Sequence, residues 1–298
     1  MDAATQRSLK PISHLLSPRE RHWVGDGFAV STIFSPHHLD PEVLSPFILM
    51  DHAAPRHFSP GAKARGVGPH PHRGFETVTF AYQGEVEHRD SHGGGGTIGA
   101  GDVQWMTAAS GVVHEEMHSQ RFTEAGGIFE MVQLWVNLPA RLKMTVPRYQ
   151  ALSGSSFPEL TFGRASGRLI AGSLQGLSGP AKSHTPITMF DMTLPAASEA
   201  SFELPAGRTI LVFMLEGRGI AQNAQQVKAG DLVVLDRSEH GAVTLAASDA
   251  TRALVLCGEP LGEPVVAHGP FVMNTRAEII EAMHDYQRGG MGRLAPTK

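Results

Sequence analysis

Cysteine is nearly absent from this chain. Its 298 residues include one, Cys257, which excludes an intrachain disulfide and a thiolate metal cluster and fits a reducing, cytoplasmic setting. Long apolar runs are missing too. Stretches such as Ile210–Leu215 fall far short of the ~18 residues of a membrane span, and no apolar signal core stands near Met1. A soluble, unprocessed protein with no membrane partner is expected. Positive charge is not in excess: 25 Lys and Arg against 29 Asp and Glu leave a net charge of −4, so direct nucleic-acid binding is not expected. What remains is a composition that can bury a sizeable core, 41% hydrophobic with 33 Gly and 20 Pro for turns. Histidine is abundant. The 16 histidines are natural metal ligands where thiolates are scarce.

Apolar runs of four to eight residues bounded by Gly, Pro, Asp or Asn recur along the chain, and helical spacing is hard to find before about residue 275. An all-β fold of sandwich or barrel type follows. Near the end, Thr275 with Glu278 reads as a capping box for a helix at about 276–288, docked through Ile279, Ile280, Met283 and Tyr286. The chain also repeats itself. Ala100-Gly101-Asp102-Val103 matches Ala229-Gly230-Asp231-Leu232, with the glycines 129 positions apart, and Phe80 to Gly84 matches Phe213 to Gly217, with those glycines 133 apart. Two consecutive β domains are expected, 1–145 and 146–298, joined near Pro139, Pro147 and Ser153–Ser156.

The sharpest chemical signal is His70-Pro71-His72-Arg73-Gly74-Phe75-Glu76. Residues i and i+2 of a strand project from one face, so His70 and His72 can chelate one ion together. His114 and Glu116 form a second such pair. Three imidazoles and a carboxylate make a mixed site for one divalent transition metal, Fe, Mn, Ni, Co, Cu or Zn, in the first domain. Glu76 competes as the carboxylate, since unbroken alternation would turn it inward with Val78, Phe80 and Tyr82. On a straight strand, however, it lies ~13 Å beyond His72 at ~3.3 Å per residue. Glu76 and Arg73 are therefore expected to support the site without ligating. Phe80, Trp105 and Met131 are expected to line a substrate pocket at the barrel mouth. His88 and His92, flanking Asp90 before Gly93–Gly96, read as a solvated turn, and His52 and His57 as loop residues. In the second half, positions 203 and 205 and positions 243 and 245, the counterparts of the four ligands, carry none of these ligand types. That domain reads as scaffold.

The H-x-H pair, the later histidine and the Gly-Asp turn before it resemble the two motifs of the cupins. More closely, His70 to Glu76, Gly101 to Ala108, His114-Glu115-Glu116-Met117, Gln133 to Leu138 and the tail Gly269 to Thr275 resemble the pirin family. The resemblance implies a bicupin with one metal, usually iron, on His70, His72, His114 and Glu116. It further implies ring opening of a flavonol such as quercetin with O₂, with Glu116 taking the 3-hydroxyl proton. A rival reading is a metal- or redox-sensing regulator acting through a protein partner. A sugar isomerase is a third, for which the metal neighbourhood offers mainly Arg73 to a phosphate.

Overall fold

Short strands with alternating burial, bounded by turns, dominate the computed structural model, which describes residues 8–237 and 240–295. The strands gather into two units, each an antiparallel seven-stranded sheet packed on a four-stranded one. In the unit that carries the histidine motifs, the larger sheet runs Arg148–Leu152, Val103–Thr107, Phe75–Gln83, Gly127–Asn137, Phe47–Phe58, Phe28–Phe34 and His22–Val24. Its smaller sheet runs Gly66–His72, Val112–His118, Val86–Asp90 and Gly95–Ile98. Phe28, Ala53, Phe129 and Met131 from the first sheet bury against Val86 and Ile98 from the second.

The other unit repeats this order strand for strand. Leu232–Leu235, Thr209–Glu216, Thr251–Gly258 and Ile187–Leu194 stand where Val103–Thr107, Phe75–Gln83, Gly127–Asn137 and Phe47–Phe58 stand in the first. The repeated Gly-Asp turn explains part of the match. Gly101 and Gly230 both sit at φ +91, a conformation that favours glycine. Asp102 accepts from the Gly99 N–H and Asp231 from the Lys228 N–H, three residues back in each case. The second oxygen of each aspartate holds the added edge strand: Asp102 takes the Gly154 N–H just past Arg148–Leu152, and Asp231 takes the Ser17 hydroxyl just past Ile12–Leu16.

The units do not divide the chain with a single cut between residues 145 and 146. One comprises the chain up to Pro18 together with Phe157–Pro260; the other comprises Arg19–Ser156 together with the chain from Leu261. The N-terminal strand thus completes the second sandwich, and the tail returns to the first. In that tail the helix is Arg276–Gln287, with the Thr275–Glu278 capping box formed. It docks through Ile279 and Ala282, while Ile280, Met283 and Tyr286 stay exposed, so only one of the four residues expected to face the core does so. Two further short helices, Pro41–Leu44 and Gln120–Ala125, are too brief to show a helical period. Among the described residues no helix is long and apolar enough to cross a membrane.

Candidate metal centre

The strand register places the two motifs face to face. His114 is the register partner of His70, and Val112 that of His72. The rings of His70, His72 and His114 converge, with centroids 4.2 to 4.8 Å apart, and one ligand atom from each lies within 4.8 Å of the others. Nδ1 of His70 faces the Gly68 carbonyl at 2.9 Å, and Nδ1 of His72 faces the Pro270 carbonyl at 3.4 Å. A carbonyl only accepts, so both Nδ1 atoms carry hydrogen, and in a neutral ring that leaves Nε2 with a lone pair for a ligand. His114 Nε2 is buried and has no hydrogen-bond partner among the described residues. Such an orphan costs free energy unless something occupies the space it faces, which is how a metal-ready imidazole presents itself. Burial, reinforced by the neighbouring imidazoles, holds His72 and His114 well below the ordinary histidine value, so both rings are neutral and able to ligate.

Glu116 lies beside this triad: a carboxylate oxygen of Glu116 and a ring nitrogen each of His114 and His88 come within 4.8 Å of one another. Three donors address its carboxylate. Oε1 accepts from Gln104 Nε2 at 2.5 Å and Thr79 Oγ1 at 3.3 Å, and Oε2 accepts from Gln133 Nε2 at 2.7 Å. The Tyr149 hydroxyl donates to Gln104 Oε1 at 3.3 Å, which turns the amide so that its N–H₂ points at Glu116.

Glu76 does not reach this cluster. The strand Gly66–His72 ends before Arg73–Gly74, and the next begins at Phe75 in the other sheet. Gly74 sits at φ +91, where an added Cβ would lie 1.9 Å from the Val272 carbonyl oxygen. The break reverses the alternation. Phe75 packs at 5.1 Å from the His72 ring and Thr79 reaches Glu116, so the even-numbered residues Glu76, Val78 and Phe80 project from the opposite face. There Glu76 accepts a 2.6 Å bond from Thr107 Oγ1.

The same register corrects the expected pocket. Trp105 pairs with Val78 and neighbours the inward Gln104, so Trp105 and Phe80 point away from the histidines. Met131 shares the face of Gln133 but is packed in the core with Phe28 and Phe129. The aromatic surface at the site is Trp135, half-buried, 5.2 Å from His72 and stacked on Phe75 at 4.3 Å. Arg73 is buried and turned to other partners than the histidine cluster. Its guanidinium donates to Ser110 O and pairs with Asp285 of the C-terminal helix at 2.9 Å. His52 and His57 lie within the strand Phe47–Phe58 rather than in a loop.

His88 is no solvated turn. It is fully buried in the strand Val86–Asp90, stacked on Tyr149 at 4.8 Å, with its Nδ1 3.3 Å from Nδ1 of His114 and its Nε2 3.4 Å from Asp90 Oδ2. Burial would raise the Asp90 carboxyl, but the bonds from His88 and from the His92 and Gly94 N–H groups hold it below its ordinary value.

In the other unit the counterpart of this cage is apolar. Val243 faces Phe202 in the register that His114 and His70 hold, which places Phe202 rather than Glu203 at the position of His70. The row Gln104–Thr79–Gln133 becomes Val233–Val212–Val255. Phe202, Leu204, Val243, Leu245 and those three valines all belong to one apolar core.

Two family models match this chain, one described as Pirin over residues 28–136 and the other as Pirin C-terminal cupin domain over residues 189–292. The chain belongs to the pirin family. This pirin is 48% identical, over 94% of its length and 98% of the relative's, to a Pseudomonas aeruginosa protein named "Putative quercetin 2,3-dioxygenase PA2418". It is 38% identical to Pirin-1 of Arabidopsis thaliana, over 85% of this chain and 86% of that one. Its fold matches the crystal structure of a quercetin 2,3-dioxygenase from Acinetobacter baumannii with a TM-score of 0.93 at 46% identity, covering 97% of this chain and all of that one. Both sandwiches are therefore cupins, and the fold is a bicupin.

Proposed function

We propose that this pirin is a metal-dependent dioxygenase that opens the ring of a quercetin-type flavonol with O₂. One divalent transition metal, with iron as the expected ion, would be held by His70, His72, His114 and Glu116. The observation that carries the reading is the partnerless, buried His114 Nε2 facing two histidines whose other nitrogens are tied to carbonyls. A metal held there would lower the pKa of a substrate hydroxyl and supply the redox chemistry that a reaction with O₂ needs. The names carried by the Pseudomonas and Acinetobacter relatives support a flavonol as the substrate. A cytoplasmic location belongs to the same reading.

The chain's own residues divide the remaining work. Glu116 takes the proton of the flavonol 3-hydroxyl on a carboxylate oxygen, and Gln104, Thr79 and Gln133 keep both oxygens oriented as acceptors. Trp135 and Phe75 offer the flat apolar surface that an aromatic substrate needs. Of the groups at the cage, His70, Gln133 and Trp135 are only half-buried, so this side admits the substrate.

The test is an aerobic assay of protein loaded with Fe, Mn, Ni, Co or Cu in turn, following flavonol absorbance, O₂ uptake and carbon monoxide. Consumption of quercetin with release of carbon monoxide is expected. No O₂ uptake with any of these ions would return the site to the sensing role.

A further inference from the structure

We infer that Asp90 and His88 form a relay that fixes the tautomer of His114 and so makes its Nε2 a metal ligand. The inference rests on the reading of His114 as a ligand and adds two positioning residues to it. Asp90 Oδ1 accepts the backbone N–H groups of His92 and Gly94 at 2.8 and 2.9 Å, which leaves Oδ2 turned to His88 Nε2. A carboxylate only accepts, so His88 Nε2 carries the hydrogen and, in the neutral ring, His88 Nδ1 is a lone pair. That lone pair faces His114 Nδ1 at 3.3 Å, and two lone pairs cannot face each other across that gap. His114 Nδ1 therefore carries hydrogen and its Nε2 is bare, on the side of His70 and His72. The opposite assignment would set a bare His88 Nε2 against Asp90 and a hydrogen on His114 Nε2, where a metal must bind.

Burial and stacking make the relay rigid. His88 and His114 are fully buried, and the Tyr149 ring lies nearly parallel to His88, at 15°. His88 could instead be read as a ligand, since one of its ring nitrogens lies within 4.8 Å of ligand atoms of His114 and Glu116. Its Nδ1, however, is spent on His114 and its Nε2 on Asp90. The corresponding residue of the other unit is Ala221, across from Leu245 as His88 is across from Glu116. The relay is absent there together with the ligands.

Substitutions separate a hydrogen-bond role from packing. His88→Asn keeps an oxygen near the place of Nδ1 but loses the ring, whereas His88→Phe keeps the ring and loses both nitrogens. Ni²⁺ affinity, measured by competition with a chromogenic chelator, should fall ~10–100-fold in His88→Phe and change by less than about 3-fold in His88→Asn, with one equivalent bound in each. Asp90→Asn should weaken binding in the same direction as His88→Phe. Nitrogen NMR of the metal-free wild type should show His114 protonated on Nδ1, a readout that requires no variant to fold. A bare Nδ1 on His114, or a His88→Phe protein that binds Ni²⁺ as well as or better than His88→Asn, would overturn the inference. Neither measurement involves turnover: a failed quercetin assay leaves the relay standing, while a wild type that binds no metal sinks the proposed function itself.

Discussion

The side-chain amide of Gln133 donates to Oε2 of Glu116 across 2.7 Å, while Gln104 holds the other oxygen from the neighbouring side. Both oxygens are thus addressed by N–H donors, and Glu116→Gln must turn its own N–H₂ toward one of them. The variant should lose ~10²–10⁴-fold in turnover, the range of a lost general base, while keeping part of its metal. Gln133→Leu frees only one oxygen and should cost less. Steady-state kinetics with parallel metal analysis check the order; a Gln133→Leu protein more impaired than Glu116→Gln would contradict it.

Glu76 is the opposite case. It is fully buried on the far face of its strand and accepts from Thr107, so Glu76→Gln should leave the metal content unchanged and cost about 1 kcal/mol of stability. Metal analysis and denaturant melts decide it. If Glu76→Gln loses metal and Glu116→Gln does not, the wrong carboxylate has been assigned.

The two tryptophans should separate in the same way. Trp105 faces away from the histidines and Trp135 lies against His72. Trp135→Ala should raise KM for a flavonol more than it lowers kcat, and Trp105→Phe should leave KM within about 2-fold. A KM effect confined to Trp105 would show that the substrate enters from the other face.

Much of the convergence of the histidines could be read from spacing, because side chains at i and i+2 on paired strands need only local geometry to meet. His70 and His72, with His114 opposite, required nothing beyond alternation and one register. What could not be read was the break at Arg73–Gly74, where the chain leaves one sheet for the other and the inward parity changes from even to odd. An unbroken strand would have turned Glu76 and Phe80 inward together; with the break both lie on the far face, and Trp105 follows Val78 there through its register. His88 was hidden by the glycine-rich turn after it, although Val86, His88 and Asp90 alternate as a strand does. The Gly-Asp repeat made the second sandwich legible, while the exchange of the two termini depends on long-range pairing that no local pattern encodes.

Lys143 supplies a pH prediction. It is buried and donates to the Gly74 carbonyl at 2.7 Å, Asn137 Oδ1 at 2.6 Å and the Val272 carbonyl at 2.9 Å, tying the returning tail to the strand break. Burial pushes its ammonium down to about 7, against the pull of Glu263 and Glu278. Between that value and the ordinary 10.5 the unfolded chain binds more protons than the folded one. Through this residue stability therefore rises with pH across that window and is flat below it. Lys143→Met should abolish the rise and, by stripping buried carbonyls of a donor, lower stability by roughly 2 kcal/mol near neutrality. Denaturant melts at about pH 7 and about pH 10 check it; identical pH dependence in the two proteins would contradict it.

The central claim is that one polar cage, and not its apolar counterpart, is a metal centre. Elemental analysis of the purified chain beside the His70→Ala/His114→Ala double variant tests it most directly. The account predicts one equivalent of transition metal in the wild type and at most a weak remnant in the variant, which keeps two of the four ligands. Two equivalents per chain, or full retention in the double variant, would contradict it.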